Sequence, residues 1–285
     1  MPRYGQLVIG PAGSGKSTYC REIQEHCATI GRTVHVINLD PAAEHFDYSV
    51  SLDVRELISL EDAMEEMQLG PNGALLYCME YLEENMEDWL KEELNDFPDD
   101  DYILFDCPGQ IELYSHVPVF RSFVDALRLW DFNLCAVYLL DVNFVNDASK
   151  FIAGCMQAMS AMIMLEVPHV NVLTKMDTVQ NKKYVKEFLD FDARMLANEL
   201  HAGMTERQTR LNEAVAGLID DFSMVSFIPL NITKEKSIQM VLSQIDYAIQ
   251  FGEDAEPKAR DVLQGNEDDD GGEGGNDEGG ADLGF

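Results

Sequence analysis

The chain has 285 residues, of which 46% are hydrophobic, and its formal net charge at pH 7 is −32. This size suits one large globular domain with its own core and argues against two full domains. The acidic balance argues against direct nucleic-acid binding, since no basic patch is available to neutralise phosphates, and it favours a basic protein as partner. Six cysteines without metal-ligand spacing indicate reduced, buried thiols of an intracellular protein.

The first predicted elements are an apolar strand over residues 4–9 and a helix over residues 16–30. Between them lies the sequence GPAGSGKS, which has the Gly-x-x-x-x-Gly-Lys-Ser pattern of a phosphate-binding P-loop. Backbone N–H groups at such a helix N-terminus favour phosphate, the lysine reaches the β- and γ-phosphates, and the serine hydroxyl binds Mg²⁺. The predicted nucleotide-binding residues here are Gly13, Ser14, Gly15, Lys16, Ser17 and Thr18, with Ser17 also a metal ligand.

A second strand, predicted over residues 33–39, ends at Asp40. A carboxylate at this position can approach Mg²⁺ or an attacking water, and a cap at the strand end before Pro41 is the alternative. Further along, residues 59–101 hold 15 acidic residues and only one basic residue, Lys91. We expect an acidic helical insertion over about residues 59–100, with solvated charged faces.

The next predicted strand, residues 102–106, ends in the motif Asp106-Cys-Pro-Gly-Gln110. In this pattern the aspartate holds Mg²⁺, and the glycine N–H senses the γ-phosphate. Gln110 is suited to orienting the attacking water, and Glu112 is close enough in sequence to share that task. The alternative is a strand-end cap followed by an ordinary Pro-Gly turn.

The next predicted elements are a helix over 116–129, a strand over 133–141, a helix over 146–165 and a strand over 169–174. That strand runs into a Thr-Lys-x-Asp motif, which matches guanine-specific GTPases. An aspartate there accepts both the N1–H and N2–H of guanine, whereas adenine would leave it unpaired. The predicted guanine-binding residues are Thr174, Lys175, Met176 and Asp177. The three motifs in this order predict a GTPase that uses GTP and Mg²⁺.

The C-terminal part contains predicted helices over 182–201, 205–220 and 234–251 and a strand over 224–230. A second guanine-contacting loop is expected after that strand, near residues 229–231. Alternating apolar strands and helices predict an α/β P-loop NTPase fold, a mostly parallel sheet with helices on both faces. We expect one GTPase domain over 1–252. The remaining residues, 253–285, combine 12 acidic residues with eight glycines and are predicted to be a disordered tail.

The insertion also contains Gly70-Pro71-Asn72, between the sequence NLDPAAE at residues 38–44 and the run YILFDCPGQIELYSH at residues 102–116. Alone, Gly-Pro-Asn is a common turn. In this setting the chain, over residues 2–251, resembles the GPN-loop GTPases, and within them the third eukaryotic branch, in a plant-like form judging by its tail.

The resemblance implies a dimer, with a GPN-loop paralogue or with a second copy, in which Asn72 acts on the partner's nucleotide. The residues expected to be catalytic are therefore Asn72, Gln110 and Asp40. Pro11 stands where dimer-gated relatives often carry a second lysine, which fits a group supplied from the partner.

For the cell, the resemblance implies a switch or assembly factor for RNA polymerase II biogenesis and nuclear import, with RNA polymerase II subunits as partners. We expect a cytoplasmic protein, and shuttling to the nucleus stays open. The most apolar helix candidate, residues 151–167, contains Gln157, Ser160 and Glu166 and is too short and too mixed to span a bilayer, so no membrane association is expected. The alternative function is a nucleotide-stabilised structural subunit of a heterodimer with little turnover. A P-loop kinase is disfavoured by the Lys-x-Asp motif and by the lack of an arginine-rich lid.

Overall fold

The computed structural model describes residues 3–98, 101–179, 185, 206–221 and 226–252. Its strands are β1 (Arg3–Ile9), β2 (Val34–Asn38), β3 (Val50–Asp53), β4 (Tyr102–Asp106), β5 (Phe132–Asp141), β6 (His169–Thr174) and β7 (Phe227–Pro229). They form one sheet in the order β3-β2-β4-β1-β5-β6-β7, and every pairing is parallel. β4 is buried at every residue, and β1, β2, β5 and β6 are buried at all but one or two residues, as expected for a parallel sheet covered on both faces.

The α-helices are α1 (Lys16–Thr29), α2 (Leu60–Met67), α3 (Pro71–Glu84), α4 (Lys91–Asn95), α5 (Glu112–Ser115), α6 (Val119–Leu129), α7 (Ala148–Leu165), α8 (Glu206–Asp221) and α9 (Glu235–Ala248). A π-helical segment, Met86–Leu90, joins α3 to α4. Helices α1 and α9 share one buried core on one face of the sheet, whereas α3, α6 and α7 share another core with the opposite face. The predicted α/β fold is therefore confirmed.

The strand order determines where the motifs meet. β1 lies at the centre of the sheet, with Val8 beside Asp106 of β4 and Val137 of β5. Since all the strands are parallel, their carboxyl ends lie along one edge of the sheet. The loops that follow β1, β4, β5 and β6 are consequently neighbours in space.

The structure also corrects several predicted boundaries. β3 was not expected; it is a four-residue edge strand whose partly exposed pattern gives little periodic signal. The helix predicted over 116–129 begins three residues later, as α6 after Pro118, and the short helix α5 that precedes it was not expected. The helix predicted over 146–165 begins at Ala148, after a 3₁₀ turn. The predicted helix over 182–201, except Val185, and the tail at 253–285 lie outside the described residues.

Helix α7 is the most apolar helix of the described chain. Its 18 residues have a mean hydropathy of 1.3, so by length and composition alone it is long and apolar enough to cross a membrane, contrary to the expectation for residues 151–167. Seven of its residues are nevertheless buried within the fold, among them Phe151, Cys155 and Ala158. This is the pattern of a helix that covers a sheet.

Candidate nucleotide-binding site

The P-loop connects the end of β1 to the start of α1. Gly10 lies so close to β5 that a Cβ atom there would stand 2.4 Å from the carbonyl oxygen of Leu139, and its φ of 141° also requires glycine. The loop curls around the ammonium group of Lys16, which donates to the carbonyl oxygens of Gly10 at 3.2 Å and Pro11 at 3.4 Å. The lysine is 9% exposed. This loop therefore holds a buried positive charge at the N-terminus of a helix, as a phosphate site requires.

Asp106, at the carboxyl end of β4, is 4% exposed and faces the P-loop. Burial raises the pKa of Asp106, whereas hydrogen bonds from the Tyr48 and Ser17 hydroxyls and the charge of Lys16 lower it in part. The Tyr48 hydroxyl donates to Oδ2 of Asp106 at 2.9 Å. Burial and the charge of Asp106 raise the pKa of Tyr48, so its hydroxyl keeps the proton that it donates. Tyr48 was not predicted from the sequence, because a tyrosine in a loop 58 residues from Asp106 carries no recognisable signal.

The residues around Asp106 fit the needs of Mg²⁺. A serine hydroxyl and a carboxylate are oxygen ligands, which this ion prefers, and it normally takes its remaining ligands from phosphates and water. Among the described residues, no group of three or more His, Cys, Asp or Glu side chains could hold a metal on its own. The donor set thus fits a metal brought with a nucleotide, and the role of Ser17 and Asp106 as its protein ligands stays a prediction.

The Asp-x-Pro-Gly segment lies directly against the P-loop. A Cβ atom on Gly109 would stand 3.0 Å from Cα of Ala12 and 3.2 Å from its backbone nitrogen. The Tyr114 hydroxyl donates to the carbonyl oxygen of Pro108 and ties the segment to α5. Oε1 of Gln110 is buried and has no hydrogen-bond partner among the described residues. An acceptor without a partner beside a phosphate loop is suited to binding a water molecule.

Asp40 follows β2, and its Oδ1 accepts a hydrogen bond from the Ala42 backbone N–H at 2.9 Å. This is the local cap that the sequence left open as the alternative. Burial raises the pKa of Asp40, and both the Ala42 N–H and the charge of Lys16 oppose that rise. The side chain of Asn38 stabilises this turn, since it forms hydrogen bonds with the backbone of Asp40 and with the carboxylate of Asp53. The structure places Asp40 within electrostatic reach of the P-loop, and its catalytic role stays a prediction.

The Thr-Lys-x-Asp motif reaches the P-loop from the end of β6. The hydroxyl of Thr174 lies 2.7 Å from the carbonyl oxygen of Ser14. Lys175 has a left-handed φ of 60°, and its ammonium group donates at 2.6 Å to both the Gly13 carbonyl oxygen and Oδ2 of Asp141. Asp141 was also not identified from the sequence, although it ends a predicted apolar strand in the same way as Asp106 does.

The rest of that motif lies beside the loop after β7. Met176 is buried, and its N–H donates to the carbonyl oxygen of Leu230 at 3.3 Å, whereas Asp177 is exposed. The side chain of Asn231 is turned into its own loop, where it accepts from Thr233. The two loops predicted to contact guanine are therefore adjacent, and their contacts to a base stay a prediction.

Asn72 is not in a loop. Gly70 is the N-cap of α3, Pro71 is its first residue, and Asn72 lies in its exposed first turn. Glycine followed by proline is a known helix-start signal that the sequence contained. No hydrogen bond joins Asn72 to the P-loop within the described part of this single chain. Of the three residues expected to be catalytic, the structure brings Gln110 and Asp40 to the P-loop region and leaves Asn72 on the surface.

Comparison with known proteins agrees with this geometry. A family profile with the description "Conserved hypothetical ATP binding protein" matches residues 8–251. A crystal structure of a GTPase from Pyrococcus abyssi in its apo form superposes with a TM-score of 0.70 at 21% identity, covering 86% of this chain and 97% of that one. That likeness confirms the predicted P-loop NTPase fold.

Three curated relatives named GPN-loop GTPase 3 are similar along most of their length. The protein from Dictyostelium discoideum is 50% identical over 261 residues, which are 90% of this chain and 91% of that protein. The proteins from Danio rerio and Saccharomyces cerevisiae are each 52% identical over 90% of this chain, covering 92% and 96% of their own lengths. The chain therefore belongs to the family of GPN-loop GTPases.

Proposed function

We propose that this chain binds GTP with Mg²⁺ at the P-loop and hydrolyses it in a site that a dimer partner completes. The observation that carries the proposal is the meeting of four strand ends. These are the ends of β1, β4, β5 and β6. They bring to one edge of the sheet a buried lysine, a buried carboxylate, a glutamine oxygen without a partner in the described part of the chain, and a tethered Lys-x-Asp motif.

Each group has a definite task in this proposal. The P-loop N–H groups and Lys16 bind the phosphate chain, and Ser17 and Asp106 hold Mg²⁺, which neutralises charge on the β- and γ-phosphates. Lys175, held by its hydrogen bonds to Gly13 and Asp141, covers one face of the guanine, and Asp177 accepts the two guanine N–H groups. The free acceptor of Gln110 orients the attacking water. Phosphoryl transfer needs mainly positioning and charge stabilisation, and these groups supply both.

Dimer dependence rests on the position of Asn72. Its first-turn location on the surface leaves it exposed, so it is available to the nucleotide of a second subunit. We propose that its amide donates a hydrogen bond to charge that develops on the phosphate in the partner's site. An interaction made only in the transition state changes turnover and leaves ground-state affinity almost intact.

The test uses the variants Asn72→Ala and Lys16→Ala. We expect Asn72→Ala to lower the turnover of GTP by about ten- to a thousandfold, with the affinity for a fluorescent GTP analogue almost unchanged. Mixed dimers of the two variants should regain one working site, which combines the intact P-loop of one subunit with the intact Asn72 of the other. Glu80→Ala, an exposed change on the same helix, is the matched control.

The assay separates the two parts of the proposal. Failure of confirmed mixed dimers to recover turnover would refute action across the dimer. Equal displacement of the fluorescent analogue by ATP and by GTP would refute guanine specificity. Light scattering with GTP, with and without a candidate paralogue, identifies the partner as a second copy or as another GPN-loop GTPase.

At the level of the cell, we propose a cytoplasmic switch that takes part in RNA polymerase II assembly and nuclear import and that shuttles to the nucleus. Family resemblance supports this role, and the formal charge of −32 supports basic protein surfaces as clients. In cells whose only copy of this protein is the variant supplied to them, Lys16→Ala should leave polymerase subunits in the cytoplasm. Normal nuclear import of the polymerase with Lys16→Ala would contradict the proposal.

A nucleotide-stabilised structural subunit of a heterodimer is the second candidate function, whereas the presence of Gln110 and Asn72 favours the hydrolysing switch. Under this alternative GTP binding is needed and turnover is incidental. Asn72→Ala would then support polymerase import as well as the wild type does, while Lys16→Ala would not. A switch requires both variants to fail.

A further inference from the structure

The loop between β2 and β3, residues 39–49, places a second hydroxyl on the carboxylate of Asp106. Tyr48 is 8% exposed and packs in the core beneath α1. Its hydroxyl lies 2.9 Å from Oδ2 of Asp106, while the Ser17 hydroxyl also bonds this carboxylate. The aspartate is thus held by one group from the P-loop and by one group from the loop that carries Asp40.

The position of Tyr48 is built by several contacts. Directly after it, Ser49 forms two hydrogen bonds of 3.0 Å with the side-chain amide of Gln24 on α1, one through its N–H and one through its carbonyl oxygen. On the other side, the ring of Phe46 lies 5.3 Å from the ring of Tyr48. The guanidinium of Arg55 stacks on Phe46 at 4.6 Å. These contacts fix the position of the Tyr48 ring independently of the hydrogen bond between its hydroxyl and Asp106.

Arg55 also connects this loop to the turn that contains Asp40. It donates to the carbonyl oxygen of Ala43 at 2.8 Å and to the carboxylate of Asp53, and Asp53 in turn accepts from Asn38 at the start of the Asp40 turn. The hydrogen bonds of Arg55 and Asn38 outweigh burial and lower the pKa of Asp53, which stays ionised. The loop is therefore held at both ends by side chains.

We infer that Tyr48 is a positioning residue for the metal-binding carboxylate, because its hydroxyl fixes Oδ2 of Asp106 and leaves the other oxygen for Mg²⁺ or its water. The inference rests on the proposed role of Asp106. A carboxylate whose second oxygen is hydrogen-bonded is oriented and loses less freedom when an ion binds, and removal of such a partner typically costs 10–100-fold in metal affinity. Sequence motifs assign no role to Tyr48.

The matched control is another buried tyrosine hydroxyl of the same core. Tyr19 on α1 donates to Oε1 of Gln6 at 2.7 Å, and Gln6 donates in turn to the hydroxyl of Tyr102. This chain of hydrogen bonds includes none of the proposed metal ligands. Tyr19→Phe removes one buried hydroxyl bond, as Tyr48→Phe does, and should lower thermal stability similarly.

The experiment measures the release rate of a fluorescent GDP analogue from full-length protein while free Mg²⁺ is titrated against EDTA. For Tyr48→Phe we expect the Mg²⁺ concentration that gives half of the slowing to rise about tenfold. Tyr19→Phe should keep the wild-type midpoint. The release rate in EDTA is each variant's own metal-free baseline, so a general change in the fold alters that baseline. A shift in the Mg²⁺ midpoint therefore reports on metal binding.

The outcomes are distinguishable. If Mg²⁺ slows release from the wild type and Asp106→Asn abolishes this effect, the proposed metal site stands. Under that result, a Tyr48→Phe midpoint equal to that of Tyr19→Phe would overturn the inference alone. If release from the wild type does not respond to Mg²⁺, or Asp106→Asn behaves as the wild type does, the proposed metal site fails and the inference fails with it.

Discussion

Gly109→Ala tests how closely the Asp-x-Pro-Gly segment must approach the P-loop. The added methyl group would meet three atoms of Ala12, with Cα at 3.0 Å, Cβ at 3.1 Å and the backbone nitrogen at 3.2 Å. These separations are several tenths of an ångström shorter than an ordinary carbon contact. Because two of the three atoms belong to the backbone, no side-chain rotation relieves them, and one of the loops must move.

The expected magnitude follows from overpacking. Inserting a methyl group into a tight contact costs roughly 1–3 kcal/mol, and 1 kcal/mol lowers Tm by about 2–4 °C in a domain of this size. The same displacement moves the phosphate loop away from its nucleotide-binding shape. We therefore expect the affinity for a fluorescent GDP analogue to fall by about tenfold, which is close to 1.4 kcal/mol.

Differential scanning fluorimetry and nucleotide titration measure the two effects. Gly217→Ala, in α8, is the control, since its Cβ would meet no atom of the described residues within 4 Å. This change should stabilise the helix by up to about 1 kcal/mol. The double change Ala12→Gly with Gly109→Ala removes only the contact with Cβ of Ala12. Full recovery of Tm and affinity in the double variant, or wild-type behaviour of Gly109→Ala, would refute the argument.

Three further changes have definite expected outcomes. Asp177→Asn should weaken GTP binding and strengthen binding of a xanthine nucleotide, which carries a carbonyl where guanine has its amino donor; competition titrations measure both, and unchanged GTP preference would contradict the role of Asp177. Removal of residues 253–285 should leave Tm and nucleotide affinity nearly unchanged, because an acidic, glycine-rich segment can bury little apolar surface; a large fall in Tm would show that the tail contacts the fold. Burial lowers the pKa of His169 to about 4 from 6.5, so the unfolded chain binds the extra proton and stability falls as the pH drops from 6.5 to 4, by roughly 2–4 kcal/mol. Chemical denaturation at several pH values should show a shallower fall for His169→Phe, and equal slopes for the two proteins would contradict this.

The strands and motifs could be predicted because each is a local pattern. The strand at 102–106 was predicted with its observed limits, and the motif after each of three strands lies where parallel strand ends meet. β3 was missed because an edge strand of four residues with a polar, exposed Ser51 has neither the length nor the regular alternation that identifies a strand.

The contacts that shape the site are not local and could not be predicted in this way. The hydrogen bond of Tyr48 to Asp106 joins residues 58 apart, and that of Lys175 to Asp141 joins residues 34 apart. Each depends on the strand order, which places β2 beside β4 and β5 beside β6. Identification of these pairs needs the topology as well as the residue types.

The central place of β1 has a consequence for synthesis on the ribosome. Its two neighbours, β4 and β5, end at Asp106 and Asp141, so β1 is made before both of them and waits for more than a hundred later residues before both its edges are paired. At translation rates of about 5–20 residues per second, that wait is on the order of 10 s. During it the apolar segment before the P-loop is exposed to aggregation, and the nucleotide cannot yet stabilise it. Nascent chains that end before β5 should therefore depend on chaperones and gain nothing from GTP.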